Sequence, residues 1–383
     1  MDPSKLTPAV INSLYPRTYE QSRQRFRDNL ISIRNIWPDA NLRTHHHDAG
    51  SDLTTDWISA TATQNESKLL IFTTGEHGIE GYVGSAMLEF FSHTYLPQLN
   101  PTDTSILLVH AINPWGMKNF RRTNAHNVDL NRNFVLNAPD LDPAFNPAYA
   151  NLNPFLNPAK PNRRVLWQTI GMWGQLLKLI PKYGLAQFRA ATLLGQYQFP
   201  HGLYFGGDQI QPETRLMMNL YRQLIGSHDH IIHLDMHTGY GPRYQMSVVN
   251  SVHETRPSTE LSAAFNYPLV VNTTPDEFYA MRGDMIDFVY QMVTHDFPDK
   301  RLYSTSFEFG TFGASLWQTI RSILAKIREN QHYWQGSVTE KEVQKILAHF
   351  KELYYPSETR WKRKALQDAN QAFDGILKTS KFV

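Results

Sequence analysis

The segment GEHGIEG, residues 75–81, contains the two side chains whose types and spacing first indicate chemistry. His77 lies three residues before Glu80, directly after the apolar run KLLIFT. On a turn that leaves a strand, residues three apart project to the same side, so this imidazole and this carboxylate can converge on one cation. Zinc binds such nitrogen and oxygen ligands, and catalytic zinc sites usually have three protein ligands. The spacing therefore indicates part of a metal site.

A third ligand is expected at the end of another strand, because the carboxyl ends of parallel strands meet at one edge of a sheet. The segment HIIHLDMHTGYGP, residues 230–242, offers His230, His233 and His237. Strand alternation places His233, Asp235 and His237 on one face. Only His237 lies at the exit of the apolar run, so we favour it, with His230 and His233 as rivals.

A carboxylate also ends the apolar run STSFEFGTFG. Glu308 lies there among Phe307, Phe309 and Phe312. Partial desolvation by these rings should favour a carboxyl group suited to proton transfer. The alternative is a buried glutamate in a structural salt bridge.

Arginines are concentrated between these segments, in NPWGMKNFRRTNAHNVDLNRNF, residues 113–134. This stretch includes Arg121, Arg122, Asn131 and Arg132 and follows the second apolar run. A guanidinium group can bind a carboxylate in a bidentate geometry, through two parallel hydrogen bonds. The loop is therefore a candidate anion clamp beside the metal.

The elements that must position these residues are short apolar runs separated by helical segments. Near-continuous apolar strands of this kind predict a sheet covered on both faces, hence an α/β protein. An amphipathic helix is expected over residues 18–36. The expected strands cover residues 68–73, 105–112, 231–235, 246–250, 269–272 and 303–309.

We interpret residues 1–383 as a single catalytic domain with two additions. Residues 138–212 begin in a proline-rich loop, continue into an apolar helical stripe, and are interpreted as an insertion that acts as a lid or an oligomer contact, or else as an ordinary core helix. Residues 338–383 are interpreted as a C-terminal helical extension.

The composition of the chain narrows the range of binding partners and chemistries to expect. The chain has a formal net charge of +2 with dispersed lysines and arginines, which gives no electrostatic reason to expect nucleic acid or membrane. It has no cysteine, which excludes thiolate chemistry. Neither a secretory signal nor a bilayer-spanning stretch is evident, so we expect a soluble, cytoplasmic protein.

Together, the motifs HGIE, DMHTG, FEFGT and VDLNRNF resemble those of the zinc carboxypeptidase superfamily, and most closely a bacterial branch of the carboxypeptidase A-like metallopeptidases. The resemblance covers about residues 50–135 and 225–330. It implies an α/β/α sandwich around a mixed, largely parallel, twisted sheet. It also implies one Zn²⁺ ion held by His77, Glu80 and His237.

The resemblance further implies roles for residues around the metal. It makes Glu308 the general base and Arg121 the group that polarises the scissile carbonyl, with Arg122 a near rival that could bind substrate. Asn131 and Arg132 match the pair that binds the substrate carboxylate. Asp129 matches a residue that orients His77.

The implied activity is hydrolysis of an amide bond next to a free carboxylate, by a metallocarboxypeptidase that acts on peptides. DMHT is closer to deacylases of the succinylglutamate desuccinylase and aspartoacylase type, so an N-acyl amino acid deacylase is the first alternative. A non-catalytic peptide-binding scaffold is the second, although the presence of Glu308 argues against it. A substrate-capping tyrosine is not fixed by spacing, and Tyr240 and Tyr279 are candidates.

Overall fold

The computed structural model describes residues 1–47, 52–273 and 281–383. Within these residues, eight strands form one sheet in the order β1-β2-β4-β3-β5-β8-β6-β7. In chain order the strands are β1 (Asn41–His46), β2 (Thr54–Ala60), β3 (Lys68–Thr74), β4 (Thr104–His110), β5 (His230–Thr238), β6 (Met246–Asn250), β7 (Val270–Asn272) and β8 (Arg301–Phe309).

The centre of the sheet is parallel and its flanks are mixed. Strands β4, β3, β5 and β8 run in one direction. Strand β2 pairs antiparallel with β4 and β1 pairs antiparallel with β2, while β6 pairs antiparallel with β8. The central strands are apolar on both faces because helices cover both, which explains their near-continuous apolar sequences.

Helices form the two outer layers. In the described residues they are α1 (Pro8–Leu14), α2 (Tyr19–Arg34), α3 (Gly81–Thr94), α4 (Pro114–Lys118), α5 (Pro147–Leu156), α6 (Val165–Leu193), α7 (Pro212–Ile225), α8 (Ser258–Ala264), α9 (Met285–Asp296), α10 (Leu316–Gln335), α11 (Glu340–Tyr354) and α12 (Thr359–Thr379). One core joins α1, α2, α3 and α12 to a face of the sheet, and a second joins α7 and α9 to the opposite face. The predicted α/β class is confirmed.

A third apolar cluster lies outside these two layers. It packs α5 and α6 against α10 through residues such as Leu152, Leu176 and Ile323. The stretch that we interpret as an insertion therefore has its own small core and is seated on α10. None of the helices in the described part of the chain combines the length and apolar character needed to cross a bilayer.

Most predicted elements match observed ones, with two differences. Strands β1 and β2 were not expected, because their polar residues, including the buried Asp56 that pairs with Arg27 at 2.6 Å, hide the strand pattern. The C-terminal stretch is helical, as expected, but its helix α12 is part of the main core, where Trp361 and Phe373 are buried.

Candidate metal centre

The turn after β3 positions His77 and Glu80. Gly75, at φ +70°, redirects the chain, and residues Gly78–Glu80 form a single 3₁₀ turn that leads into α3. The amide of Gly78 donates to the carbonyl of Arg122 at 3.2 Å, and the amide of Ile79 to that of Arg121 at 2.9 Å. The predicted ligand segment is thus bonded directly to the arginine loop.

Strand pairing brings the other two predicted residues to the same edge. Strands β3 and β5 are parallel neighbours, with Thr74 opposite Met236, so His237 lies one residue beyond the end of β3. Strand β5 is also a parallel neighbour of β8, and there His237 is directly opposite Glu308. The carboxyl ends of three adjacent parallel strands therefore hold all four candidate groups, as the sequence predicts.

His77, Glu80 and His237 meet in a tight triangle. His77 Nδ1 lies 3.0 Å from Glu80 Oε1, and His237 Nδ1 lies 3.2 Å from Glu80 Oε2. The two Nδ1 atoms are 3.2 Å apart. Ligands about 2.0–2.1 Å from a tetrahedral zinc ion are separated by about 3.3 Å, so these three groups fit zinc. All three residues are buried.

The far nitrogen of each histidine faces a carboxylate. His77 Nε2 is 2.9 Å from Asp129 Oδ1, and His237 Nε2 is 2.5 Å from Asp235 Oδ2. Such carboxylates fix the ring tautomer and orientation, leaving Nδ1 free to bind a metal. The sequence predicted Asp129 but not Asp235, although its position two residues before His237 on the same strand face was a usable signal.

The charges of the site also suit a divalent cation. Burial would raise the pKa of Glu80, but the charge of His77 outweighs it and holds that pKa well below its ordinary value. The pKa of Asp129 is likewise lowered, against burial, by Arg122, and that of Asp235, against burial, by His237. Asp129 and Glu80 lie near the guanidinium of Arg122, whereas Asp235 faces the ring of His237, so the site holds more carboxylates than guanidinium groups and suits a divalent cation.

Glu76 offers a different third ligand. One ligand atom each of Glu76, His77 and His237 lie within 4.8 Å of one another. Glu76 Oε2, however, approaches His237 Nε2 at 3.4 Å, the nitrogen already held by Asp235. Burial raises the pKa of Glu76 well above its ordinary value, favouring a neutral acid. The geometry therefore favours Glu80, and nothing in the sequence spacing had marked Glu76.

Glu308 stands beside the triangle without joining it. It is partly buried, and its Oε2 has no hydrogen-bond partner among the described residues. Burial raises the pKa of Glu308 to about 8, and the positive charge of His237 opposes that shift. Within the described chain it forms no ion pair, which does not match the structural salt bridge considered as its alternative role.

The two adjacent arginines point to different places. Arg122 contacts Asp129 through Nη1 and lies with Nε 3.8 Å from Glu80 Oε1, at the ligand triangle. Arg121 instead pairs with Glu329, with Nε 3.0 Å from Oε1. Its guanidinium carbon lies 3.6 Å from the ring centroid of Tyr333. The structure therefore brings Arg122, and not Arg121, to the candidate metal ligands.

The predicted carboxylate-binding pair is engaged by the protein itself. Arg132 donates to the carbonyls of Asn131 at 2.6 Å and Leu193 at 2.8 Å. The side chain of Asn131 donates to Asp284 at 3.0 Å and accepts from the amide of Met285 at 2.9 Å. These bonds tie the arginine loop to α6 and α9.

A cavity next to Arg122 contains two residues that sequence reasoning missed, Tyr204 and Lys326. Arg121, Arg122, Tyr204 and Lys326 line it. The Lys326 ammonium lies 3.5 Å from the Tyr204 hydroxyl and acts electrostatically on Glu308. Neither residue belongs to a recognisable motif, because the insertion and α10 supply them.

This cavity adjoins a second one of about 330 Å³, with which it shares Gly202 and Asn330. The second cavity lies between α5, the turn before Tyr204, and the end of α10. His201 and Trp334 stack in it with ring centroids 3.8 Å apart. The space beyond Arg122 is therefore partly walled by the segment that we interpret as an insertion.

Tyr354, at the end of α11, is another unpredicted neighbour of the site. Its carbonyl accepts from Thr238 Oγ1 at 2.7 Å, next to His237, while its buried hydroxyl has no hydrogen-bond partner in the described residues. Burial raises the pKa of Tyr354 well above its ordinary value; Arg122 opposes the shift and Glu80 adds to it, so both lie within electrostatic reach.

The alternative ligands and capping tyrosines considered from the sequence either lie outside the ligand triangle or fall outside the described residues. His233 is buried in the sheet between Thr73 and Ser304, each at 2.9 Å, and His230 is at the opposite end of β5. Tyr240 is 46% exposed on the turn after His237. Tyr279 falls outside the described residues.

The fold and the site define an α/β protein with a buried candidate metal centre of two histidines and one carboxylate. A family model described as "Protein of unknown function (DUF2817)" matches residues 15–368, and the chain belongs to this family. No curated protein matches the sequence.

Several solved structures are similar to the chain at low identity. Carboxypeptidase A from Helicoverpa armigera is 12% identical, with 91% of this chain and 76% of that chain covered and a TM-score of 0.48. A metallo-carboxypeptidase from Burkholderia cenocepacia is 13% identical, with 81% and 68% covered and a TM-score of 0.38. A succinylglutamate desuccinylase from Silicibacter is 14% identical, with 78% and 67% covered and a TM-score of 0.36.

Proposed function

We propose that this protein is a zinc-dependent hydrolase that cleaves an amide bond next to a free carboxylate, as a metallocarboxypeptidase does. The proposal is carried by the triangle of His77 Nδ1, His237 Nδ1 and the Glu80 carboxylate, with sides of 3.0–3.2 Å. A zinc ion bound there would lower the pKa of a water molecule and polarise a carbonyl group.

Glu308 is the proposed general base. Its position opposite His237 supports this role, as does a carboxylate oxygen with no partner among the described residues. A pKa that burial raises to about 8 lies near neutral pH, where a side chain can both accept and return a proton. Glu308 would take a proton from the attacking water and pass it to the leaving nitrogen.

Arg122 is the proposed stabiliser of the charge that develops on the carbonyl oxygen. Its Nε lies 3.8 Å from a Glu80 oxygen, whereas Arg121 is engaged by Glu329. A well-placed donor of this kind typically contributes about 3–4 kcal/mol to the transition state. Its contact with Asp129, which also holds His77, fixes the guanidinium relative to the metal ligands.

Recognition of a substrate carboxylate has two candidate cations. Arg132 follows from the motif resemblance, but its Nη atoms already bind backbone carbonyls. Lys326 lines the cavity next to Arg122 and carries no ion pair among the described residues. Its ammonium group is therefore available to an anionic group of the substrate.

A comparison of acid and amide substrates tests this recognition. We expect the purified zinc enzyme to cleave a peptide with a free terminal carboxylate roughly 10- to 150-fold better in kcat/KM than its amidated form, the effect of about 1.5–3 kcal/mol. Whichever variant, Lys326→Met or Arg132→Met, abolishes that preference identifies the cation. Equal wild-type rates on acid and amide would refute carboxylate recognition and leave the zinc hydrolase proposal standing.

An N-acyl amino acid deacylase with the same metal ligands is the second candidate. The feature that favours it is enclosure: the ligands are buried and Gly202, Leu203 and Tyr204 of the insertion wall the adjoining cavity. A walled space suits a small acylated amino acid better than a long peptide. Assays of N-acetyl and N-succinyl amino acids beside a mixed peptide pool separate the two, and no hydrolysis of either by zinc-loaded protein would favour the scaffold.

A further inference from the structure

The middle of the chain has a one-sided charge composition. Residues 143–207 contain no aspartate or glutamate, yet they contain six lysines and arginines, at Lys160, Arg163, Arg164, Lys178, Lys182 and Arg189. Since the whole chain carries a net charge of +2, the remaining residues carry −4. The near-neutral total therefore conceals a basic segment on an otherwise acidic protein.

Helix α6, which belongs to this segment, is apolar on two sides. Its inner side packs Met172 and Leu176 into the cluster shared with α5 and α10. On its outer side Trp167, Ile170 and Leu177 are 65%, 54% and 75% exposed. At 100° per residue these three side chains fall within an arc of about 80°. They form an exposed apolar stripe, in addition to the apolar side of the helix that is already buried in the cluster.

The start of α10 extends this stripe. Leu316 and Trp317 are 57% and 59% exposed. The ring of Trp317 stacks on Trp173 of α6, with centroids 4.3 Å apart and planes 11° from parallel, which joins the two helices into one surface. We call the residues Trp167, Ile170, Leu177, Leu316 and Trp317 the tryptophan face.

Basic side chains border this face. Lys178 and Lys182 are exposed and, on the same helical wheel, lie within about 60° of Trp167. Arg163 and Arg164 are exposed just before α6 begins. Exposed tryptophan and leucine beside lysine, with no acidic residue in the segment, is the composition of helices that lie in a membrane interface.

We propose that the tryptophan face is a docking surface for an anionic lipid bilayer, on which the protein lies peripherally. Charge complementarity favours this occupant, because anionic headgroups attract each nearby lysine or arginine while the aromatic and aliphatic side chains enter the headgroup boundary. The proposal differs from the expectation, drawn from the chain's overall charge, that the protein has no membrane partner. It is independent of the hydrolase proposal, since it concerns a different surface and is tested without catalysis.

Vesicle co-sedimentation tests the proposal on the full-length protein. We expect binding to phosphatidylcholine vesicles that contain about 30% phosphatidylglycerol, little binding to phosphatidylcholine alone, and weaker binding at about 0.5 M salt, where the screening length falls to about 4 Å. The double variant Trp167→Ser/Leu177→Ser should weaken binding at least about tenfold. Lys178→Gln/Lys182→Gln should weaken it roughly 10- to 30-fold.

Matched variants on another surface serve as controls. Ile31, 75% exposed on α2, and Arg43, exposed on β1, provide Ile31→Ser and Arg43→Gln, which should bind vesicles as the wild type does. Circular dichroism establishes that each variant is folded. No vesicle binding by wild type, or equal losses in face and control variants, would overturn the proposal. So would sedimentation showing a dimer that Trp167→Ser/Leu177→Ser dissociates, since a second copy would then occupy the face.

Discussion

At the scale of single residues, the candidate metal centre depends on how each histidine uses its two nitrogens. Both Nδ1 atoms face Glu80, and both Nε2 atoms face a carboxylate, Asp129 for His77 and Asp235 for His237. The carboxylates raise the basicity of the rings and hold them in place. Zinc affinity should therefore depend on residues that never touch the ion.

Substitutions at the end of β5 separate ligation from positioning. His237→Ala removes a ligand, and the purified protein should lose most of its zinc by elemental analysis. Asp235→Asn keeps all three ligands and should weaken zinc affinity about 10- to 100-fold in a competition titration with a chelator. Asp229→Asn, an exposed ion-pair partner of Lys300 at the other end of the strand, is the control and should bind zinc normally. Full zinc retention by His237→Ala would contradict the assigned ligand set.

Removal of the proposed base should affect catalysis without affecting the metal. Glu308→Gln preserves the shape of the side chain but cannot accept the proton, so kcat should fall by about 100-fold or more while zinc content stays at the wild-type level. Stopped assays measure kcat, and elemental analysis measures the zinc content of the same preparation. Near wild-type turnover would mean that another group is the base.

Sequence patterns predicted that the candidate ligands converge because His77, Glu80 and His237 follow apolar runs, and the carboxyl ends of parallel strands meet at one edge of a sheet. They could not distinguish Arg121 from Arg122, since one residue of turn geometry decides which guanidinium faces Glu80. They also could not predict Tyr354 or Lys326, which reach the site from helices distant in the sequence.

At the scale of elements, the ligand segment depends on a close contact between two backbones. A Cβ atom at Gly78 would lie 2.1 Å from the carbonyl carbon of Gly116 in α4, and backbone atoms cannot yield as a flexible side chain can. Glycine is thus required for the 3₁₀ turn to lie against α4 and the arginine loop. The motif HGIE predicts a glycine here, but only the fold explains it.

The substitution Gly78→Ala should therefore disturb the metal centre although Gly78 is no ligand. Overpacking against backbone should cost about 3 kcal/mol and displace the turn that carries Glu80, lowering both Tm and zinc content. Gly174→Ala in α6 is the control, because no atom lies within 4 Å of the added methyl group. In a helix interior that change should stabilise the protein by up to about 1 kcal/mol. Normal zinc binding by Gly78→Ala would show that the turn tolerates displacement.

Element boundaries followed from sequence where strands are buried on both faces, as for β3 and β4. They failed for β1, an exposed edge strand with polar residues, because an edge needs no apolar pattern to pair with its neighbour. The burial of α12 was also missed. Its apolar residues occupy one helical stripe between charged ones, so the stretch looks polar when averaged along the chain.

At the scale of the whole molecule, acid stability should be governed partly by histidines that folding buries in neutral form. Burial lowers the pKa of His110, in β4, to about 4, and it lowers the pKa of His233, in β5, to about 4 as well. An unfolded chain protonates histidine near pH 6.5. Each of these side chains therefore contributes stability that is fully present above about pH 6.5 and is lost as the pH falls toward 4.

Buried carboxyl groups with a raised pKa act in the opposite direction over the same range, which is why the test must isolate one histidine. Burial raises the pKa of Asp287 to about 7, so its contribution to stability is lost as the pH rises through that value. His110→Phe removes a single buried imidazole that stacks on Phe26, with centroids 5.4 Å apart, and replaces it with a ring of similar shape. The difference in unfolding free energy between wild type and this variant cancels the contributions of carboxyl groups that do not interact with residue 110; Asp56, which raises the pKa of His110 against burial, is the one that acts on it.

That difference should change by about 3 kcal/mol between pH 7.5 and pH 4, in the direction that favours the variant in acid. The change should be concentrated between about pH 6.5 and 4, because outside that window the folded and unfolded states of the wild type bind the same number of protons at residue 110. Urea unfolding at a series of pH values measures it. Phe90→Leu, a non-titrating change in the same core layer, should lower stability by the same amount at every pH. Parallel curves for His110→Phe and wild type would show that His110 is protonated equally in both states, and that burial of this imidazole does not contribute to acid sensitivity.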